Sequence, residues 1–367
     1  MSVAAPAIHR LTIAEIRREA PDAVAIRFDI PDPLAKAYAA SAGQYLTLCK
    51  DFGGKGLRRC YSICSRPGAA GPWIGVREER GGRFSAWLNR DAKPGDALEV
   101  MTPDGRFTFA PDPEGPRREV LCAAAGSGIT PVLAILETLL ADEPQSSATL
   151  IYANRDAAHI MFKDALDDLK DRFLNRLQVL HVLSREPADV DLLAGRIDAA
   201  KCEGFFGPHG VAPAARIDLA YLCGPEALMD EAAASLTQYG LAARSIKREL
   251  FLNADSPPPA SSPAHPREPV PDGAQITLII DQRRRTFTFD PAHASILDAA
   301  RAAGADVPYA CKAGVCATCR AHLTEGQVTM ARNHALDADE LERGYILTCQ
   351  SRPTTDRVTV DYDRRSG

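Results

Sequence analysis

Four cysteines carry the most specific spacing in this chain of 367 residues. Cys311, Cys316 and Cys319 are separated by four and then two residues, and Cys349 follows after a further 29. Thiolates at these intervals are suited to hold a two-iron, two-sulfide cluster. Gly314 and Ala317 lie inside the run, and small residues there let backbone amides approach the sulfurs. A structural zinc site usually pairs two Cys-x-x-Cys knuckles or adds histidines. The run holds one knuckle, Cys316 with Cys319, so the spacing predicts an iron-sulfur centre.

A second group of motifs suits nucleotides. The segment VLCAAAGSGITPVLAILETLL reads as strand, glycine turn and helix, with Gly126 and Gly128 in the turn. Glycines there let the backbone approach a pyrophosphate, and the helix N-terminus offers free amides to it. Thr130 can cap that helix and Pro131 suits its first turn. The turn ends in proline where the dinucleotide fingerprint has glycine, so by itself it also fits a plain structural turn. In RRCYSICS, Arg59 and Tyr61 share one face of a strand, a phosphate clamp beside a ring that can lie on a flat cofactor. Gly81, Gly82, Arg83, Phe84 and Ser85 offer a further anion site at a helix start. Cys223, Gly224 and Pro225 follow another strand, and Glu249 and Phe251 come near the end of that region. Arg155, with Asp156 beside it, follows one strand and Ser184 with Arg185 ends the next. Arginine there accommodates a ribose 2′-phosphate that an acidic residue rejects, so NADPH is the expected nucleotide, with NADH as the other possibility.

The elements that position these residues fall into three blocks. From Leu11 to Phe109 short alternating runs (Val24–Phe28, Tyr45–Leu48, Trp73–Val76, Ala97–Met101) suit a small antiparallel barrel. From Glu119 strands alternate with helices, the pattern of a parallel sheet covered by helices. Ser256–Pro271 holds seven prolines and reads as a semi-rigid linker. The last block opens with two alternating runs, Gln275–Ile280 and Thr286–Phe289, and a short helix near Ser295–Ala303. Arg283, Arg284 and Arg285 read as a solvated hairpin tip. The expected boundaries are 1–112, 113–254, a linker at 255–272, and 273–367. The expected fold is a multidomain β, α/β and α+β chain.

Composition narrows the class. Hydrophobic residues are 46% and charged residues 25%, which suits globular domains. A net charge of −5 gives no field for nucleic acid or anionic lipid, so no nucleic-acid or membrane partner is expected. No apolar stretch reaches the roughly 20 residues of a membrane span and no leader of secretory type is seen, so the expectation is a cytoplasmic protein with reduced thiols. Cys49, Cys122 and Cys202 read as small core fillers.

The order of Arg-x-Tyr-Ser, Gly-Gly-x-x-Ser, Gly-Ser-Gly-Ile-Thr-Pro, Cys-Gly-Pro and Glu-x-Phe, followed by the four cysteines, resembles the ferredoxin-NADP reductase superfamily fused to a plant-type ferredoxin. More narrowly, RRCYSIC, GGRFS, AAGSGITP, LIYANR, YACKAGVCATC, YILTCQ and VDYD are similar to reductase components of multicomponent di-iron monooxygenases. The resemblance implies an FAD-binding barrel, an NAD(P)-binding α/β domain and a β-grasp-like 2Fe-2S domain. By it, Arg59, Tyr61 and Ser62 hold FAD, with Ser62 near its N5, and Gly82, Arg83, Phe84 and Ser85 take its pyrophosphate. Gly126, Gly128 and Thr130 bind the nicotinamide nucleotide, while Cys223, Gly224 and Pro225 lie by the nicotinamide ring. Phe251 lies near the flavin, Ser184 and Arg185 resemble a 2′-phosphate site, and Ser62 and Cys223 are the catalytic candidates. Cys311, Cys316, Cys319 and Cys349 ligate the cluster. The implied activity is an NAD(P)H-dependent reductase that feeds electrons to the oxygenase component of a di-iron monooxygenase. A Rieske dioxygenase or another iron protein is the alternative partner, and a non-catalytic 2Fe-2S redox sensor the alternative class.

Overall fold

The computed structural model describes residues 6–54, 56–252 and 269–364, so most of the expected 255–272 linker lies outside the described residues. The chain divides into two compact units, one spanning Ile8–Phe251 and one holding the C-terminal residues from Leu252.

The first unit begins with strands β1 (Ile8–Ala20), β2 (Ala23–Asp29), β3 (Tyr45–Asp51), β4 (Gly56–Ser62) and β5 (Trp73–Arg77), helix α1 (Arg83–Arg90) and strand β6 (Ala97–Met101). These strands form one sheet in the order β4-β3-β6-β1-β2-β5. An antiparallel bridge between Ile63 and Ile74 joins its two ends and closes the barrel. Closure removes the unpaired edges that would otherwise recruit other chains. Alternate residues point inward, so Leu11, Ile13, Val24, Ile26, Phe28, Leu46 and Leu48 meet in one core with Phe84 and Leu88 of α1.

The nucleotide lobe follows with β7 (Glu119–Ala125), α2 (Ile129–Asp142), β8 (Ser147–Asn154), α3 (Lys163–Arg172), β9 (Leu177–Leu183), α4 (Ala199–Phe206), β10 (Leu219–Cys223), α5 (Glu226–Gln238) and β11 (Ile246–Glu249). All five strands are parallel, in the order β11-β10-β7-β8-β9. Helices α2 and α3 cover one face and α4 and α5 the other, with Val120, Cys122 and Ala124 facing the first core and Leu121 and Ala123 the second. Parallel strands buried on both faces must be apolar on both, which the run VLCAAA provides. Ligand sites in such sheets lie beyond the carboxyl ends of the strands.

Two departures from the sequence expectation concern local chemistry. Helix α2 starts at Ile129 with Gly128 in the cap position, so Thr130 does not cap it. Its hydroxyl instead donates back to the Ser127 carbonyl at 2.9 Å. Arg283, Arg284 and Arg285 lie not at a hairpin tip but on a strand, the tip being Asp281 and Gln282, both at positive φ.

The second unit contains β12 (Gln275–Ile280), β13 (Arg283–Thr288), α6 (Ile296–Ala302), β14 (Arg320–Glu325), β15 (Val328–Met330), α7 (Ala338–Glu342), β16 (Tyr345–Leu347), β17 (Ser351–Pro353) and β18 (Arg357–Asp361). Its main sheet runs β13-β12-β18-β14-β16, with β12 and β18 parallel and the other pairs antiparallel. Ser295 caps α6, and Ile296, Leu297 and Ala300 of that helix enter the core beside Ile276, Leu278 and Val360. Val270 already packs against this core. The three arginines sit on the outer strand β13, where charge blunts a sheet edge.

The barrel and the nucleotide lobe meet at Gly75 of β5. A Cβ there would lie 2.4 Å from Thr130 Cγ2 and 2.9 Å from Phe162 Cζ. Phe162 holds a left-handed backbone, φ 57°, which is strained for a bulky residue; the Glu19 carboxylate accepts its amide hydrogen bond. Gly75→Ala should therefore overpack the seam at a cost of about 1–3 kcal/mol. Thermal unfolding of this unit should shift down by roughly 3–10 °C, whereas an unchanged midpoint would mean that the lobes are not pressed together at this point.

Candidate functional site

On the barrel side, β4 carries Arg59, Tyr61 and Ser62 at its C-terminal end. Tyr61 is partly buried against the barrel core and meets Phe84 edge-on, ring centroids 6.2 Å apart. Burial and the nearby Glu79 charge push its phenol far above the usual range, so it stays neutral. Arg59 is partly buried, and its Nη1 donates to the Arg58 carbonyl at 2.9 Å. Gly82 is the cap residue of α1 and supplies no side chain there, which leaves the amides of the first turn for an anion. A Cβ on Gly82 would stand 2.6 Å from Ser85 Oγ. That hydroxyl is already used inside the turn, donating to the Gly82 carbonyl and accepting from the Glu79 amide at 3.0 Å. The Phe84 ring is core, 2% exposed, so only its backbone is left for a phosphate. Arg83 is exposed and stacks its guanidinium over Phe52, 5.2 Å from the ring centre. A cation, an unfilled helix start and a flat ring on one barrel edge fit a flavin dinucleotide.

On the nucleotide side, Gly126 takes φ 56° and leads through Gly128 into α2. A Cβ on Gly128 would fall 2.0 Å from the Cys223 carbonyl oxygen, so the turn lies directly on the end of β10. Gly224 is less tightly placed, 3.0 Å from Ala125 Cβ on the same terms, and Pro225 precedes α5. The Tyr152 hydroxyl donates to the Gly126 carbonyl at 2.9 Å and fixes the turn from below. Arg77 of β5 reaches over from the barrel, with Nη1 2.8 Å from where a Gly126 Cβ would stand and Nη2 donating to the His159 carbonyl at 2.5 Å. Sequence reading missed this cation, because its strand position shows no link to a turn 49 residues away.

The two sides join through Glu249, which sequence reading placed in a motif without a role. Its neighbour in the β10–β11 register is Cys223, and Ser62 Oγ donates to its Oε2 at 3.2 Å. Ser62 is 3% exposed and Cys223 fully buried. Burial pushes the Glu249 pKa up to about 8 against the partly opposing Ser62 hydrogen bond. Burial, and then the Glu249 charge, raise the Cys223 thiol well above its ordinary value. The arrangement is a neutral, water-poor junction that can hold a proton at neutral pH. Phe251, two residues on, is 40% exposed and so is not simple core packing.

The expected 2′-phosphate residues are only partly brought together. Strands β8 and β9 continue side by side past their ends, with the Ser184 amide donating to the Asn154 carbonyl at 2.9 Å and the Arg185 amide to the Arg155 carbonyl at 2.8 Å. Ser184 and Arg185 are exposed. The Arg155 guanidinium, however, donates to Asp22 Oδ2 at 2.7 Å. Asp156 is turned into its own loop, accepting from the His159 amide at 3.1 Å, so it does not reject a phosphate from this edge.

In the C-terminal unit the cysteine loop is wound tightly. Lys312, Gly314 and Ala317 all take positive φ, two of them without glycine's freedom. The Ala313 amide donates to Cys311 Sγ at 3.3 Å and the Cys311 amide to Cys316 Sγ at 3.5 Å. Gln350 ties the fourth cysteine to the loop, its Nε2 donating to the Lys312 carbonyl at 2.9 Å and to Cys349 Sγ at 3.4 Å. The thiols fall into two contacts, Cys311 with Cys316 and Cys349 with Cys319, and each contact, followed by burial, raises Cys311 and Cys349 well above the ordinary range. Among the described residues no three candidate ligands converge at single-ion spacing. Two pairs of sulfurs suit two irons better than one tetrahedral ion, and a polycation is what would let four thiolates coexist there.

Comparison with known proteins agrees with this division. Residues 10–109 match an oxidoreductase FAD-binding domain, 123–234 an oxidoreductase NAD-binding domain and 278–354 a 2Fe-2S iron-sulfur cluster binding domain. The chain is 43% identical, over 97% of its length and 98% of the relative's, to a subunit of the 1,2-phenylacetyl-CoA epoxidase of Escherichia coli. It is 34% identical, over 96% and 95%, to the ferredoxin reductase component of 3-ketosteroid-9-alpha-monooxygenase of Mycobacterium tuberculosis. Among solved structures, phthalate dioxygenase reductase shares the fold with TM-score 0.57 and 24% identity, covering 96% of this chain and 98% of that one. No described helix is long and apolar enough to cross a membrane.

The raised Glu249 pKa has a pH signature. The folded chain holds this proton more tightly than the unfolded one, so its stabilising contribution is full below pH about 4.5 and is lost as pH rises through about 8. Glu249→Gln cannot ionise, and its unfolding midpoint should fall less than that of the parent between pH 5 and 9. Parallel pH profiles for the two would show that the carboxyl meets water rather than the Ser62 junction.

Proposed function

This chain belongs to the family of FAD- and 2Fe-2S-containing reductases that includes the 43% identical component of the Escherichia coli 1,2-phenylacetyl-CoA epoxidase, and from that membership we propose that its electron acceptor is the di-iron oxygenase of a phenylacetyl-CoA epoxidase and its donor NADPH. The chain is an NAD(P)H-dependent oxidoreductase, the electron-transfer reductase of a multicomponent oxygenase. The observation that carries the proposed acceptor is the identity of 43% over 97% of this chain and 98% of the relative. A second reading keeps the chemistry and changes the oxygenase, to a Rieske type or another iron protein; the 34% identical ketosteroid component supports a different acceptor, at lower identity over the same span.

Bound FAD would supply the conversion the reaction needs, taking one hydride, that is two electrons, from the nicotinamide and giving those electrons up one at a time. The protein's part is largely positional. Arg59, Tyr61 and Ser62 hold the flavin ring and phosphate, and the α1 start at Gly82, Arg83, Phe84 and Ser85 takes the pyrophosphate. Gly126 and Gly128 give the nicotinamide nucleotide a backbone cradle on α2, while buried Thr130 shapes that turn from within. Cys223, Gly224 and Pro225 bring the nicotinamide ring to Ser62, and Phe251 flanks the flavin. Glu249 keeps a proton beside Ser62. Ser184 and Arg185 take the 2′-phosphate. Cys311, Cys316, Cys319 and Cys349 hold the cluster, whose amide donors stabilise its negative charge.

Reconstitution tests the acceptor. Purified holoprotein with NADPH should drive consumption of phenylacetyl-CoA by the epoxidase's oxygenase component, and a ketosteroid oxygenase component should be served at least about tenfold more slowly. Cys316→Ala should abolish the coupled turnover while flavin content and ferricyanide reduction persist. Turnover with only the other oxygenase would overturn the assignment.

A further inference from the structure

Asp22 stands in the turn between β1 and β2, on the barrel, yet its carboxylate serves the nucleotide lobe. Its Oδ2 accepts from Arg155 Nη2 at 2.7 Å, and Arg77 Nε lies 3.4 Å from its Oδ1. Arg155 and Arg185 are neighbours at the ends of two paired parallel strands, joined by the 2.8 Å amide-to-carbonyl bond between them. A phosphate at that edge would find two cations within reach if both were free. Among the described residues Arg185 has no ion-pair partner and is exposed, whereas Arg155 is held by the opposite lobe.

We propose that Asp22 is a specificity-determining residue for the pyridine nucleotide: by holding Arg155 from the barrel it leaves the 2′-phosphate to Ser184 and Arg185 and weakens discrimination between NADPH and NADH. The proposal rests on the reading that the 2′-phosphate lies at the β8–β9 edge. Two effects act in the same direction. The ion pair withdraws a donor, and the carboxylate offsets the Arg155 charge that a phosphate at this edge would otherwise feel. The pair is partly exposed, 41% on Arg155 and 27% on Asp22, so each effect is modest and salt-sensitive. Together they should amount to about three- to tenfold in the ratio of affinities. The Arg77 contact does not confuse this ratio. Arg77 lies at Gly126, so any change it makes in pyrophosphate binding touches both nucleotides alike.

The test is equilibrium titration of the oxidised holoprotein with NADP⁺ and with NAD⁺, read as the ratio of the two dissociation constants. Asp22→Asn should raise the preference for NADP⁺ about three- to tenfold at low salt, and the gain should vanish in Asp22→Asn/Arg155→Ala and shrink at high salt. Arg155→Ala alone should leave the ratio within about twofold, while Arg185→Ala lowers it about tenfold or more. An unchanged ratio in Asp22→Asn, with Arg185→Ala still lowering it, overturns the role of Asp22 alone. An unchanged ratio in Arg185→Ala overturns the location of the 2′-phosphate and this inference with it. Asp22→Ser, checked for flavin content, repeats the arm should the asparagine variant fold poorly. Arg155→Ala decides independently of both, because a fall matching Arg185→Ala would place Arg155 in the phosphate site.

Discussion

The barrel and the nucleotide lobe touch backbone to side chain at Gly75, and within the nucleotide lobe the phosphate turn touches β10 at Gly128, where not even a methyl group would fit. These two approaches decide the rest of the Ile8–Phe251 unit. Gly128 presses the turn onto Cys223, β11 sets Glu249 beside Cys223, and Gly75 draws the barrel in so that Ser62 can reach Glu249. Transfer between two flat rings depends on approach to about 3–3.5 Å. A fold that brings the end of a barrel strand to the end of a parallel strand through one carboxyl suits such an approach and calls for no acid-base dyad. No single residue does so; the spacing is a property of the seam.

Charge is distributed around this junction in a consistent way. At its centre the groups are neutral: a carboxyl raised to about 8, a thiol raised by burial, a phenol that keeps its proton. Around it the lobes are fastened by ion pairs, Asp22 with Arg155 and Arg66 with Asp142, while Arg77 approaches Asp22 within the barrel. Burying an unpaired charge at the centre would be costly, whereas partly solvated pairs at the rim add orientation at little cost. In the cluster unit buried thiols crowd against one another and resist ionisation, and amides and Gln350 converge on them. That is a donor set suited to a cationic centre.

Much of this was legible in the sequence because its signals are local. The strands Ala97–Met101 and Leu219–Cys223 follow directly from their apolar patterns, and the cysteine spacing is a property of one loop. Strand β1 was less legible, since its outward residues are polar and its 13-residue run contains two register shifts against β2. Helix α4 is short and carries glycine and cysteine in its middle. The roles that escaped sequence reading are the non-local ones. Arg155 looks like a phosphate ligand until Asp22, 133 residues earlier, is seen to hold it. Glu249 is an ordinary strand-end acid until Ser62, 187 residues earlier, donates to it. Phe84, expected in the segment that takes the pyrophosphate, turns its ring into the barrel core, a placement its local motif does not show.

We place the meeting of the nicotinamide and the flavin at Ser62, held by Glu249 beside Cys223. Rapid mixing of the holoprotein with NADPH, followed at the flavin absorbance, tests it most directly in Ser62→Ala. The rate constant of flavin bleaching at saturating NADPH should fall at least about tenfold while flavin content and nucleotide affinity are retained. A rate equal to that of the parent chain would contradict it.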